Sequence, residues 1–362
     1  MKNVLINKIL IILSVMLFLL LDSGSLIAAT ESGKSPDVSY KILLYANNSL
    51  YSMNPDGSGR EKLFEKADII DFQSLSDGRI LVHSSQYDGE SLEIFEISSG
   101  VWSLVEFTEG DIPNIAVSEN STTIAYEIRH FPISIDGDGV WLYDTSGKKS
   151  HAKIANTALT IESFTIFSGR LFLLYHELDL ASDEAGLFME SIPLDTSSKP
   201  RRNRVPEGLK MLMPEGYSIG FTYPASGKRL EITHLIDGIS SGIAMPSGDI
   251  ILYKNSYFPS EKPSLVFGRK AIDFVGKEYE EILLWNIDKN KLNPLKINER
   301  VETGEFRWSP DGLLYFTAKY IDPSGELSSP MLFRMNIADN KIELVSVFGG
   351  FFAFQAIKNP GI

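Results

Sequence analysis

A tight turn carrying glycine or asparagine, set between two short hydrophobic runs, recurs along almost the whole chain. Its fullest copy reads Phe306-Arg307-Trp308-Ser309-Pro310-Asp311-Gly312-Leu313-Leu314-Tyr315-Phe316. Other copies turn at Ser76-Asp77-Gly78, Ser118-Glu119-Asn120, Ser168-Gly169, Pro214-Glu215-Gly216, Pro246-Ser247-Gly248 and Asn359-Pro360-Gly361. Gly, Asn and Asp tolerate or brace the backbone that a tight reversal needs, and Pro presets φ in the same turns. Intervals between successive turn ends are 42, 49, 47, 32, 64 and 49 residues, near the blade period of propeller folds. A pair of short strands cannot bury its own faces, so such units must stack on copies of themselves.

A second signature alternates with the first, an apolar strand followed by another polar turn. It occurs at Leu50–Met53, Leu92–Ile97, Val140–Tyr143, Leu187–Glu190, Leu230–His234, Ile282–Asn286 and Met331–Asn336. Each reads as the third strand of a four-stranded unit whose fourth strand follows the turn. The expected architecture is an all-β, seven-bladed β-propeller. Only 32 residues separate Gly216 from Gly248, so the unit there is expected to lack its outermost strand, and a six-bladed ring with Leu209 to Gly238 as an elaboration stays open. The first unit starts at Lys41-Ile42-Leu43-Leu44-Tyr45 with no strand ahead of it, while Phe351 to Ile357 is a spare strand at the C-terminus. Pairing these two ends in one blade would close the ring and remove its exposed edges.

Ser309-Pro310-Asp311-Gly312 and Met53-Asn54-Pro55-Asp56-Gly57-Ser58-Gly59 resemble the repeats of TolB-type, WD40-like periplasmic β-propellers. The resemblance covers the units from about Tyr40 onward. Its motifs are turn chemistry, so they imply a fold and carry over no catalytic residue.

The N-terminus reads as an export signal. Lys2 and Lys8 precede the apolar run Ile9 to Leu21, a polar break follows, and Ala28-Ala29 offers small residues for cleavage. The uninterrupted run is shorter than the roughly 20 residues of a spanning helix. The expected organisation is therefore a signal peptide at residues 1–29, a short linker at 30–39 and one propeller domain at 40–362. There is no cysteine, hence no disulfide, thiolate or lipid-attachment site. The chain is 43% hydrophobic and 22% charged with formal net charge -13, and losing Lys2, Lys8 and Asp22 with the signal leaves -14. Such acidity disfavours nucleic acid and anionic membrane surfaces. The one basic cluster, Lys199 to Arg204, reads as a solvated loop.

Long connections between second and third strands are expected on one face, at Glu127–Gly139, His176–Gly186, Lys254–Tyr279 and Lys319–Pro330. Long loops on a rigid scaffold are where binding concentrates. This face nominates His130, Asp136, Asp138, His176, Lys254, Tyr257, Phe258 and Lys319 as binding residues. An alternative reading draws His83, His130 and His176 together as a metal or acid-base cluster, similar to propeller polysaccharide lyases. Asp136-Gly137-Asp138-Gly139 lacks the later ligands of an EF-hand loop. Gly238-Ile239-Ser240-Ser241-Gly242 matches a nucleophile elbow by letters, yet a strand rather than a helix follows it. Trp102, Trp141, Trp285 and Trp308 fall on strands and read as packing between blades.

The expectation is thus a periplasmic or secreted, monomeric binding protein that captures a protein or envelope component through its long-loop face, with no cofactor. The alternative is a carbohydrate-cleaving propeller enzyme with a histidine-lined site.

Overall fold

A computed structural model describes residues 40–358, apart from 133–136, 146–150, 157–159, 180–183, 196–198, 207, 226, 259–262, 273–277, 298–300, 321–326 and 348–351. The signal and linker expectations, Asp136 and the Asn359–Gly361 turn lie outside the described residues. Every regular element among those described is a β-strand, and none of their segments is a helix long and apolar enough to cross a membrane.

The strands form seven antiparallel four-stranded sheets, each one blade of a propeller. The first blade takes β1 (Tyr40–Ala46), β2 (Ser49–Met53) and β3 (Glu61–Glu65); the second, β4 (Ile69–Ser74), β5 (Arg79–Gln86), β6 (Gly89–Glu96) and β7 (Val101–Thr108). The third holds β8 (Ile115–Val117), β9 (Thr123–Ile128), β10 (Gly139–Asp144) and β11 (His151–Asn156). The fourth holds β12 (Thr160–Phe167), β13 (Arg170–Asp179), β14 (Glu184–Pro193) and β15 (Arg201–Arg204). The fifth comprises β16 (Leu209–Met213), β17 (Tyr217–Thr222), β18 (Arg229–His234) and β19 (Ser240–Ala244). The sixth comprises β20 (Ile250–Phe258), β21 (Ser264–Ile272), β22 (Glu278–Asn286) and β23 (Lys291–Pro294). The seventh has β24 (Val301–Trp308), β25 (Leu314–Tyr320), β26 (Met331–Asn336) and β27 (Lys341–Val347). The last strand, β28 (Phe352–Lys358), pairs with β1 and completes the first blade in the order β28-β1-β2-β3. Ring closure by the C-terminus is as expected from the spare strand, and the ring has seven blades rather than six.

The blade strands read as unbroken apolar runs because both their faces are buried between neighbouring blades. In β1, Ile42, Leu44 and Ala46 face the seventh blade with Phe354, Tyr315 and Leu332, while Leu43 and Tyr45 face the second with Phe72, Ile80 and Val82. The pattern repeats in β13, where Leu171, Leu173 and Tyr175 pack toward the third blade and Phe172 and Leu174 toward the fifth. Seven apolar clusters fill the seven junctions.

Two corrections concern the fifth and sixth blades. The fifth is complete: its outermost strand is the short β19, which pairs with β18 from Arg229↔Ala244 to Thr233↔Ser240. The interval appeared short because Pro246-Ser247-Gly248 connects two blades and does not reverse the chain within one. Ile250–Phe258 is therefore the innermost strand of the sixth blade, and Ser264–Ile272 its second. The within-blade reversal lies between Phe258 and Ser264, in a stretch of prolines and charges with no glycine. A register shift between Leu252 and Tyr257 conceals β20, because Lys254-Asn255-Ser256 interrupts its apolar pattern. Lys254, Tyr257 and Phe258 are thus strand residues, not loop residues. The same holds for His176, inside β13, and Lys319, inside β25, and only residues 180–183 connect β13 to β14.

Ending the chain at Gly350 should abolish cooperative melting, since it removes β28 and opens the ring on both sides. Phe354→Ala, which empties a fully buried site, should lower stability by about 3 kcal/mol or more in denaturant titration. Leu344→Ala, on half-exposed β27, should change it by less than about 0.5 kcal/mol.

Candidate ligand site in the axial cavity

First strands of neighbouring blades contact one another around the axis, β28 with β4, β8 with β12, β12 with β16, β16 with β20, β20 with β24 and β24 with β28. Because alternate residues of a strand point to opposite sides, each inner strand turns part of its sequence to the axis. They enclose a cavity of about 540 Å³ to which all seven blades contribute. A second cavity of about 790 Å³ adjoins it at the short-turn face, bordered by Ser74–Ser76, Val117–Glu119 and Phe167. Gln73, Val117, Pro214 and Glu215 line both.

Most polar groups of the axial lining are committed to the ring. Gln355 Oε1 accepts a hydrogen bond from the Ser74 amide at 2.8 Å, tying the first blade to the second. Ser163 Oγ accepts one from the Leu212 amide at 3.3 Å, tying the fourth to the fifth. Arg307 lies 4.0 Å from Asp71 and 3.5 Å from Glu305, and Glu162 lies 3.3 Å from His176 Nε2. Trp308 donates its indole N–H to the Ser256 carbonyl at 2.8 Å and stacks on Phe258 with centroids 5.0 Å apart. That bond satisfies a backbone carbonyl at the β20 irregularity, and the stacked pair gives the cavity an aromatic wall.

Glu215 is different. It sits in the reversal between β16 and β17, where Gly216 adopts φ +80 and a Cβ would come within 2.3 Å of the Phe167 ring. Only glycine fits that approach, and the turn presses Glu215 against the ring interior. Its Oε2 is closed off from solvent and has no hydrogen-bond partner. Burial pushes the carboxyl up to about 7, opposed only by its own backbone N–H. Nearby, Tyr257 packs against Tyr217 at 4.7 Å, and burial together with the Tyr217 hydroxyl and the Glu215 charge drives the Tyr257 hydroxyl far above its ordinary range.

The residues nominated from sequence fare unequally. Tyr257 and Phe258 line the cavity, but from an inner strand. The three histidines each pair with a different carboxylate. His83 Nε2 is 2.8 Å from Glu90, His130 Nδ1 is 2.5 Å from the buried Asp138, and His176 meets Glu162. Among the described residues no group of three or more His, Cys, Asp or Glu is arranged to hold a metal ion. Lys319 borders a separate cavity with Glu302, Thr303 and Ser328, and nothing is described of the Lys254 side chain. The sequence does not nominate Glu215, because Pro214-Glu215-Gly216 reads as turn chemistry. The available signal was a carboxylate flanked by Met211-Leu212-Met213 and Tyr217, whereas Glu119, the glutamate of the Ser118–Asn120 turn, stands between Ser and Asn.

No family model and no curated protein matches the chain. Solved structures do. The tricorn protease aligns over 92% of this chain and 37% of its own length, with TM-score 0.54 and 13% identity. The β-propeller domain of the Trilobed protease from Pyrococcus furiosus aligns over 77% of this chain and 84% of its own, with TM-score 0.54 and 11% identity. TolB from Acinetobacter baumannii aligns over 75% and 66%, with TM-score 0.45 and 14% identity. For the first two the likeness at these identities is one of fold, and it agrees with the propeller expected from the repeat motifs. The chain spans little more than a third of the tricorn protease, and the Pyrococcus domain is described as having an open velcro topology, whereas here β28 and β1 close the ring.

A carboxyl whose folded pKa is raised stabilises the fold below its unfolded value and loses that contribution as pH rises through the folded one. Stability should therefore fall between about pH 4.5 and 7, by at most about 3 kcal/mol for this group. Glu215→Gln should flatten that part of the pH profile of denaturant unfolding and raise stability at pH 8. An unchanged profile would mean that Glu215 is already solvated.

Proposed function

We propose that this chain is an exported binding protein that captures a protein or cell-envelope component at the axial cavity and its mouths. The observation that carries this reading is convergence. All seven inner strands present side chains to one cavity of mixed polarity, whereas the candidate acid-base histidines are held in separate pairs. A pre-formed concave site with a few placed polar groups suits recognition. Export is supported by the charged start, apolar run and Ala28-Ala29 of the N-terminus. Fold likeness to propellers of proteolytic enzymes is compatible with substrate or partner handling but does not supply a reaction.

The reading differs from the long-loop face in one respect. Much of the span assigned to those loops is strand, so shortening Tyr257 to Lys277 would delete most of β21 and destroy the sixth blade. The rigid axis is the better-built receptor.

A photo-crosslinking residue placed at exposed Lys210, which borders the cavity, should yield a discrete adduct in cells, and one at Leu344 on the outer rim should not. Sequencing of the extracytoplasmic protein should begin near residue 30. Adducts at position 344 alone, or intact Met1 on membrane-bound protein, would overturn the reading. Separate His130→Ala and His176→Ala variants should leave the position-210 adduct unchanged, whereas loss of a stoichiometric metal from the purified protein in either variant would restore the enzyme alternative.

A further inference from the structure

Glu215 is the acidic group of the axial lining for which the fold supplies no counter-charge. The other two carboxylates there are engaged, Asp71 near Arg307 and Glu162 with His176. Lys210 and Arg307 border the same cavity, yet the only favourable influence on Glu215 is its own backbone N–H. Aromatic rings surround its turn: Phe167 at the end of β12 lies against Gly216, Tyr217 opens β17 and packs on Tyr257 of β20, and the Glu215 charge acts on the Tyr257 hydroxyl. Behind Tyr217 stands His234 on β18, 4.9 Å away and tied to Asp237 at 3.0 Å, while Asp288 acts on Tyr257. A buried, unpartnered carboxylate is costly to keep. A fold that retains one where two cavities meet has a position for a cation.

We propose that Glu215 anchors a primary ammonium group entering the axial cavity, as carried by a lysine side chain, a chain N-terminus or a free alkylamine. This rests on the axial cavity being the ligand site. The chemistry selects among cations. A divalent metal needs several oxygen ligands, and no such group is gathered among the described residues. A guanidinium is best held by both carboxylate oxygens side by side, but Oε2 is closed off from solvent. An ammonium needs a single oxygen at a time, and the broad terminal torsion of glutamate lets either oxygen present itself. Tyr257, Phe258 and Trp308 line the same cavity, and the faces of aromatic rings attract an alkylammonium. The acidic chain, with net charge -13, concentrates cations at its surface.

Binding should require the ionised carboxylate, so it is linked to pH. With the carboxyl near 7, the ionised fraction, and with it the affinity, should rise about tenfold from pH 6 to pH 8. The probes are an acetyl-Gly-Lys-Gly-amide peptide, its norleucine counterpart and 1,5-diaminopentane, followed by saturation-transfer NMR on the full mature chain. The lysine peptide, the diamine or both should bind with that pH dependence, and the norleucine peptide should not. A preference for the peptide points to a partner chain, and equal binding to a free amine. Glu215→Gln should weaken binding at pH 8 at least tenfold with unaltered melting cooperativity, and Glu215→Asp should keep the rise with pH. Equal binding of the norleucine peptide, pH-independent binding by the wild type, or full binding by a folded Glu215→Gln protein would overturn the assignment. If the position-210 adduct forms while the amines fail, the cavity is a ligand site and Glu215 is not its cation anchor. If both fail, the axial reading itself is lost.

Discussion

Everything in this molecule depends on the antiparallel pairing of β28 with β1. Seven registered partners, from Tyr40↔Lys358 to Ala46↔Phe352, join the two ends of the chain in one blade. Each blade buries its faces only against its neighbours, so an open ring would leave two apolar faces and two sheet edges in water. The junction is braced beyond the strand pairing. Tyr315 and Arg334 of the seventh blade both donate to the Pro55 carbonyl at 3.0 Å, and the Tyr40 and Tyr315 hydroxyls lie 3.0 Å apart. The Asn-Pro-Asp-Gly turn of the first blade thereby docks on its neighbour, with Gly57 so close that a Cβ would approach the Val345 carbonyl to 2.2 Å. A motif that reads locally as turn chemistry thus also serves closure.

Closure in turn gives the axis its character. Glu215 stands in the β16–β17 reversal at the edge of that axis, where its carboxyl is buried without a lysine or an amide as partner. Lys210 is near in sequence and remains exposed. The raised carboxyl follows from its burial.

Strand order and closure were legible because their signals are local. All seven third strands stand where the apolar runs placed them, and the five reversals between first and second strands at Ser76–Gly78, Ser118–Asn120, Ser168–Gly169, Pro214–Gly216 and Ser309–Gly312 follow from turn residues. The sixth blade was misread where two local signals failed together. Its reversal has no glycine, and its inner strand carries a polar Lys254-Asn255-Ser256 bulge, so the nearby Pro246-Ser247-Gly248 connector took its place. One displaced turn accounts for both odd intervals, 32 and 64 residues, and for the strand wrongly omitted from the fifth blade. The axial site was illegible for another reason. Its members come from seven inner strands spread over the chain, and which alternate residue faces the axis depends on register shifts such as those at Ile161/Ser163 and Leu209/Met211.

The histidines find a structural use at the junction of the second and third blades. Glu90, the partner of His83, also accepts the Ile112 amide at 2.5 Å, and His130 Nε2 lies 3.3 Å from the Thr108 hydroxyl across the junction from its own partner Asp138. Tyr126 of β9 donates to Glu106 of β7 at 2.8 Å alongside them. A chain without cysteine has no covalent brace between blades, and apolar clusters alone resist separation of blades better than sliding, because dispersion and hydrophobic contact are not directional. Hydrogen bonds and charged pairs have fixed geometry. Placed across a junction they set the angle at which one blade meets the next, and in a closed ring an error of angle at one junction must be absorbed by the other six. On that argument His83 and His130 contribute to the register of the ring.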